Sequence, residues 1–178
     1  MNKTSRLAFE QWPLDLLIDY ALKVHHRTIR KEGPETLQLL DRLANRYSSM
    51  KPVYEAFAET LEAIENHLMK EENVLFPYLY ELFEAHETKQ SLPPMHCGTI
   101  ANPIGVMMME HDDETERQNR IAALTNNYTA APDSDDDCRR VMERLKKFRE
   151  ALLEHIYIEN NILFTRFRDI EAQVVEEM

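Results

Sequence analysis

The sequence predicts an all-α protein, an up-and-down bundle of four main helices. Only 3 of its 178 residues are glycine, well below the usual ~7%, and hairpin turns and phosphate-binding loops both depend on glycine. Apolar residues recur at helical spacing in four or five long segments, and none alternates with period two for long. These observations weigh against β-sandwiches, Rossmann domains and P-loop enzymes.

The first predicted helix begins near Pro13, a residue that suits the first turn of a helix. An apolar stripe then continues to Glu32. We expect Gly33-Pro34 to stop this helix, and a continuation to cover residues 35–47.

The second long segment covers residues 53–85, and a kink or break is expected at Pro77, which lies inside it. Asn102-Pro103 is predicted to start the third helix as an N-cap followed by proline. The remaining predicted boundaries are a loop over 87–101, the end of the third helix near Thr125 and a last helix over 136–175.

The charge and the cysteines exclude several classes of partner. Acidic residues outnumber basic ones by 32 to 21, so the net charge is −11, and such a charge repels nucleic acid and anionic membrane surfaces. No stretch approaches the ~20 apolar residues of a membrane span, and Asp15 and Asp19 interrupt any signal-peptide core. Cys97 and Cys138 form no C-x-x-C motif or disulfide framework. We expect a cytoplasmic monomer or homodimer of one domain, residues 1–178, with its core at about 14–168.

Four of the seven histidines follow one another at intervals of 41, 44 and 44 residues: His26, His67, His111 and His155. Each interval is about one helix plus one loop, which puts one histidine on each of four successive helices. Because these helices alternate in direction, the histidines can meet at one level of the bundle, and bundles build metal sites from such inward-facing side chains. Three further histidines lie beside His26 or near loops: His25, His86 and His96.

Two matching decapeptides, HLMKEENVLF at 67–76 and HIYIENNILF at 155–164, form an internal repeat. Each contains His-x-x-x-Glu, His67 with Glu71 and His155 with Glu159, and residues four apart emerge on the same helix face. A bare pair of this kind is equally typical of a surface ion pair. The apolar run that closes each decapeptide indicates a buried turn, where an unpaired His and Glu would be costly. We therefore predict metal ligation, in which each pair binds one ion or each carboxylate bridges two.

The register of His111 predicts that it is a ligand too, and Met107–Met109 before it are expected to pack in the core. Since His25 and His26 are about 100° apart on a helix, at most one should point inward. His86 and His96 are expected in solvent. Imidazole and carboxylate donors without thiolate favour iron, manganese or zinc over an iron–sulfur cluster.

At these residues the chain resembles the hemerythrin-like di-iron proteins, and among them the repair-of-iron-centres family, bacterial proteins of iron–sulfur cluster repair. The resemblance covers about residues 14–168 and rests on HHRTIRKEGPE, HLMKEENVLFP, NPIGVMMMEHD and the stretch that ends in HIYIENNILF. It implies two iron ions bridged by Glu71 and Glu159. The ligands that it implies are His26, His67, Glu71, His111, His155 and Glu159.

The same resemblance implies a role in restoring iron–sulfur clusters or iron centres damaged by nitric oxide or oxidative stress. The protein would donate iron or handle nitric oxide, with nitric oxide, oxygen or oxide as small ligands and iron–sulfur proteins as iron acceptors. One alternative is a hemerythrin-like oxygen or nitric-oxide sensor or store, and another is a metal-free interaction bundle. No general acid or base beyond the ligands is identifiable, so we expect a non-enzymatic repair protein, with redox chemistry of small ligands left open.

The sequence departs from the family pattern in two places. The family has a fifth histidine after the first helix, where this chain reads ANRYSS. Tyr47 could supply a phenol ligand, His25 could swing in, or the position could hold water. We expect that Tyr47 lies beside the metal or that the position is open, rather than that the phenol is a ligand. Longer members carry an N-terminal domain with a cysteine pair, which we expect to be absent here. We also expect Glu72, next to Glu71, to point away from the metal.

Overall fold

Apolar residues at every third or fourth position give each of four long helices one buried face in the computed structural model, which describes residues 8–175. Within that range the chain forms no β-strand, only two isolated bridges, which confirms the predicted all-α bundle. The predicted domain 1–178 also includes residues 1–7 and 176–178, which lie outside the described range. Between residues 8 and 175, no helix is long and apolar enough to cross a membrane.

Three of these four helices contain a π turn, a short stretch in which each backbone hydrogen bond spans five residues. Short 3₁₀ turns precede the first two helices, at Phe9–Gln11 and Ser48–Met50. The helices and their parts are α1 (Leu14–Tyr20, π turn Ala21–His26, Arg27–Arg46), α2 (Lys51–Lys70, π turn Glu71–Leu75, Phe76–Thr88), α3 (Ala101–Leu124) and α4 (Asp136–Ile158, π turn Glu159–Leu163, Phe164–Val174).

The predicted stop at Gly33-Pro34 was wrong, because α1 runs through it. Proline removes one backbone donor and disturbs the preceding turn. Beside the proline, the carbonyl of Glu32 accepts hydrogen bonds from Thr36 Oγ1 at 2.7 Å and from Arg144 on α4 at 3.3 Å, and the second of these ties this turn of α1 to α4.

The buried Gly33 serves the contact between α1 and α2. A Cβ atom at this position would lie 2.6 Å from Cδ2 of Leu61 on α2. The glycine therefore permits a close approach of two helices, whereas the sequence analysis assigned it to a helix end.

The π turns of α2 and α4 begin at corresponding places in the two decapeptides, at Glu71 and Glu159. The sequence predicted a kink or break at Pro77, but α2 continues, and its irregularity is the π turn that ends just before the proline. In α4 the residue corresponding to Pro77 is Thr165, and the same π turn forms. The wide turn therefore does not require proline, and π turns of this kind are frequent at functional sites.

Helix α3 begins at Ala101, one residue before the predicted start, and Asn102 is not its N-cap. The side chain of Asn102 donates instead to the carbonyl of Cys97 at 2.9 Å. The backbone N–H of Ile100 donates to Glu171 Oε1 of α4 at 2.8 Å. A carboxylate of α4 thus holds the first turn of α3, which the local sequence did not indicate.

A polar layer divides the core into two apolar clusters. One cluster contains Phe76 and Phe164, and the other contains Phe57 and Phe148. Every helix passes from one cluster to the other, and the passage occurs between residues 21 and 29 on α1, 68 and 75 on α2, 107 and 121 on α3, and 156 and 158 on α4. Two of these passages, on α1 and α2, contain a π turn, and the passage on α4 lies directly before one. The polar layer therefore crosses the bundle where the helices are irregular.

Phe57→Ala tests the cluster that contains Phe148. The Phe57 ring is fully buried and meets the Phe148 ring edge-on, with centroids 5.0 Å apart. We expect the free energy of unfolding, measured in urea without metal, to fall by about 3–5 kcal/mol because the deletion leaves a cavity. Metal content per folded chain should stay unchanged. A loss below ~1 kcal/mol, the size of an ordinary surface change, would contradict this description of the core.

Candidate metal centre

The polar layer brings together the six side chains that the sequence analysis singled out: His26, His67, Glu71, His111, His155 and Glu159. Each of them is at most 3% exposed. One nitrogen or oxygen from each of five of these residues, all except His26, lies within 4.8 Å of the others. His26 joins the group through its Nε2, which is 3.4 Å from Glu71 Oε2. Their role as ligands stays a prediction.

The two carboxylates lie between the imidazoles. Glu71 Oε1 is 3.1 Å from His67 Nε2, and its Oε2 is 3.8 Å from His155 Nε2. Glu159 Oε1 is 3.4 Å from His155 Nε2, and its Oε2 is 3.2 Å from His111 Nε2. Each carboxylate therefore presents its two oxygens to different imidazoles.

The carboxylate oxygens have no hydrogen-bond donors. Eight buried side-chain atoms in residues 8–175 lack a hydrogen-bond partner, and four of them are the oxygens of Glu71 and Glu159. The other four are nitrogens of His25, His26 and His155. Such atoms cost free energy when they are buried, and a cation bound between the carboxylates would remove that cost for their four oxygens. Imidazole and carboxylate donors suit iron, manganese or zinc, so this cluster can hold a metal cation.

The electrostatics of the two carboxyls differ. Burial and the charge of Glu71 raise the pKa of Glu159 well above its usual value. Burial acts on Glu71 in the same sense, but the imidazoles around it, foremost His67, hold its pKa well below its usual range. Burial also lowers the pKa of His155. Without a cation, burial and the neighbouring Glu71 therefore favour the protonated form of Glu159.

Hydrogen bonds from outside the cluster orient three of the imidazoles. Glu72 Oε1 is 2.8 Å from His26 Nδ1, Glu110 Oε2 is 2.8 Å from His67 Nδ1 and Asn160 Oδ1 is 2.8 Å from His111 Nδ1. Such partners fix the tautomer and the ring orientation of a metal-binding histidine. Glu72 is held in turn by Arg30, and Glu110 by Lys70.

Glu72 lies outside the group of clustered ligands, which agrees with the expectation that it points away from the metal. The contact of its carboxylate with His26, on the outer side of the ring, was not foreseen from the sequence. Sequence reasoning missed Glu110 and Asn160 as well. The repeat held a usable signal: Glu72 and Asn160 each follow the Glu of a His-x-x-x-Glu pair. A side chain one residue further along the helix points about 100° around its axis. From there it contacts the histidine of a neighbouring helix.

His25 and His26 are both buried, at 3% and 1% exposure, so the prediction that at most one points inward was wrong. The π turn over Ala21–His26 changes the angular spacing of a regular α-helix, on which that prediction depended. His25 does not swing into the cluster of ligands. Its Nε2 lies 3.2 Å from Glu154 Oε1 on α4.

Tyr47 lies far from the site, so the expectation that it sits beside the metal was wrong. It follows His26 by 21 residues along α1 and past its end, which corresponds to ~30 Å of helix. Its side chain is 42% exposed, and its hydroxyl donates to Asp135 Oδ2 at 3.0 Å. The phenol therefore holds the start of α4.

The remaining histidines and methionines lie outside the cluster. His96 is exposed, as expected, and His86 is half-buried. Of the three methionines before His111, Met107 is buried in the core, but Met109 is 70% exposed, so the expected core packing holds only in part.

A cleft of about 290 Å³ between α2 and α3 leads to the layer. His67 and His111 lie on its wall, together with Lys70, Glu110 and Arg117. This cleft gives small molecules or ions a route to one side of the cluster.

Fold and site together define a class: helical-bundle proteins with a buried cation site of imidazoles and carboxylates. The Hemerythrin HHE cation binding domain matches residues 17–167 of this sequence. Because that match covers most of the chain, the chain belongs to the hemerythrin family.

Relatives in this family carry a name that describes their role. The chain is 30% identical over 158 residues to proteins named iron-sulfur cluster repair protein YtfE from Citrobacter koseri and from Musicola paradisiaca. The matched region is 86% of this chain, and 66% and 65% of those relatives. The chain thus spans a little under two thirds of the length of these relatives.

Glu159→Gln tests the electrostatics of the metal-free protein. A raised pKa means that the folded carboxyl keeps a proton that the unfolded chain releases above about pH 4.3. The wild type therefore loses this contribution to stability as the pH rises from that value towards the pKa in the folded state. Glutamine has the same shape and does not ionise. We expect the unfolding free energy of the variant minus that of the wild type, measured in urea with a chelator, to increase with pH. A pH-independent difference would contradict the raised pKa.

Proposed function

We propose that this protein is a di-iron protein that takes part in the repair of iron–sulfur clusters or iron centres damaged by nitric oxide or oxidative stress. The observation that supports it most directly is the pair of buried carboxylates, Glu71 and Glu159, with imidazoles at both ends and no hydrogen-bond donors. We further propose that residues 14–168 form the core of a single hemerythrin-like domain that holds the irons.

The distances divide the proposed ligands into two sets. His67 Nε2 and His111 Nε2 are 3.0 Å apart, and each lies within 3.2 Å of one carboxylate oxygen. On the other side, His26 Nε2 and His155 Nε2 lie within 3.8 Å of Glu71 Oε2. We call these the His67/His111 set and the His26/His155 set.

Glu71 and Glu159 each give one oxygen to the His67/His111 set and the other oxygen to the His26/His155 set. One iron in each set would thus have two imidazole nitrogens and two carboxylate oxygens. In this arrangement both carboxylates bridge the two irons. The two buried carboxylates would then also have partners of opposite charge, which buried charges require.

When bound, iron would supply one-electron redox chemistry and open positions for a small ligand such as nitric oxide, oxygen or oxide. The residues of the chain would hold the iron and orient its ligands. Glu72, Glu110 and Asn160 fix the imidazole rings from outside, and the two apolar clusters keep bulk water from the layer. The cleft beside His67 and His111 would admit a small ligand and let iron leave for an acceptor iron–sulfur protein.

The printed name of the relatives supports the repair role over a role in storage or sensing alone. Those relatives are longer than this chain, so the whole of their activity does not follow from the matched region. Iron donation needs only the metal centre and an exit for iron, and both are proposed within this domain.

Substitution of the two central glutamates tests the bridging arrangement. Glu71→Ala and Glu159→Ala should each lose most of the bound iron, because each carboxylate is proposed to contact both ions. Glu62→Gln on α2 and Glu150→Gln on α4 are matched controls, since both side chains are exposed, and they should keep it. Glu72→Ala should lie between these extremes, because it removes only the partner of His26. Iron per folded chain after reconstitution measures this, and equal retention in all five variants would contradict the arrangement.

Iron transfer separates repair from storage or sensing. We expect about two irons per chain and near-ultraviolet charge-transfer absorption in the oxidised protein. The loaded protein should restore the cluster of an apo iron–sulfur protein when sulfide and a thiol reductant are supplied. A loaded protein that binds nitric oxide or oxygen but transfers no iron would support the sensor or store instead, and a folded protein with a single zinc would contradict both.

A further inference from the structure

The polar layer has an internal pseudo-two-fold symmetry, in which α1 and α2 correspond to α3 and α4. The symmetry pairs residues with the same place in the layer: His26 with His111, His67 with His155, Glu71 with Glu159 and Glu72 with Asn160. Extended by one position, the same symmetry pairs Glu110, which precedes His111, with His25, which precedes His26.

In one half of the layer, Glu110 orients His67. Its Oε2 lies 2.8 Å from His67 Nδ1, and the carboxylate is held by Lys70. In the other half, His155 Nδ1 is fully buried and has no hydrogen-bond partner. His25 contacts Glu154 through Nε2. Its other nitrogen, Nδ1, is also fully buried and without a hydrogen-bond partner.

We propose that His25 is the positioning residue for His155, in the place that Glu110 has for His67. The ring centroids of His25 and His155 are 5.4 Å apart, and the rings are nearly perpendicular, at 88°. At this centroid separation, ring nitrogens that face one another come within hydrogen-bond distance, so the two unpartnered nitrogens can form one N–H···N hydrogen bond.

The donors and acceptors of this contact are complementary. The carboxylate of Glu154 only accepts, so His25 Nε2 carries the proton and His25 Nδ1 is an acceptor in the neutral ring. His155 faces the carboxylates with Nε2, and when that nitrogen binds a cation the ring proton is on Nδ1. His155 therefore donates to His25, and His25 donates to Glu154.

The outer end of this chain of hydrogen bonds is anchored at the surface. Glu154 is 45% exposed, and its Oε1 also accepts from the Tyr20 hydroxyl at 3.1 Å. One half of the layer thus has a carboxylate directly on the proposed ligand, and the other half has a neutral imidazole between ligand and carboxylate. Each set thus pairs one ligand held by a carboxylate, His67 or His26, with one ligand held by a neutral group, His111 or His155.

This inference rests on the proposed function, and three variants of His25 and its counterpart test it. His25→Phe keeps a buried aromatic ring but has no acceptor, whereas His25→Gln offers an amide oxygen to His155 and an amide N–H to Glu154. Glu110→Leu is the mirror change in the other half. His96→Phe, at an exposed histidine, is the control.

Two measurements read out the effect. Anaerobic titration of the apo protein with Fe²⁺ against a chromogenic chelator gives the affinity of each ion. We expect His25→Phe to weaken one ion by about 10–100-fold, His25→Gln to stay close to the wild type, and Glu110→Leu to weaken the other ion. In the Zn²⁺-loaded, ¹⁵N-histidine-labelled protein, the Nδ1–H proton of His155 should move upfield in His25→Phe and return in His25→Gln.

If the wild type binds two Fe²⁺ ions and His25→Phe gives the same result as the wild type in both measurements, the role of His25 is overturned. The proposed function is not affected by that outcome. A wild type that binds fewer than two ions would overturn both. Circular dichroism of the apo variants checks folding. If His25→Phe fails to fold, His25→Met, which also lacks an acceptor nitrogen, is measured in its place.

Discussion

Two carboxylates buried between apolar clusters, with no donor on any of their oxygens, are the constraint on which the rest of this structure depends. Glu71 and Glu159 are both fully buried, and in a metal-free protein such groups destabilise the fold. The free energy gained by burying the two apolar clusters offsets the cost of burying these carboxylates. A layer of this kind is typical of a site kept for function at the expense of stability, and a bound cation would compensate the charge of its carboxylates.

The regular part of the molecule could be predicted from the sequence. Helical periodicity, scarce glycine and the equal spacing of histidines depend on local geometry, and they predicted the bundle and the level at which its side chains meet. The decapeptide repeat predicted that His67 and Glu71, like His155 and Glu159, share a face. The structure brings these side chains together, and their ligation of iron remains the proposal.

The features that sequence analysis missed all depend on contacts between helices or on departures from the ideal α-helix. The helix continues through Pro34, in a turn that Arg144 of α4 contacts through the carbonyl of Glu32. His25 and His26 both turn inward because the helix widens into a π turn there. Tyr47 was assigned to the site by a family pattern, but its position along α1 puts it at the far end of the bundle.

The central claim is that two irons lie side by side between Glu71 and Glu159. The most direct test is an anomalous difference map from crystals of the iron-loaded protein, recorded on both sides of the iron absorption edge. The account predicts two iron peaks, one beside His67 and His111 and one beside His26 and His155, with a carboxylate oxygen of each glutamate at both. A single peak, or peaks outside this layer, would contradict it.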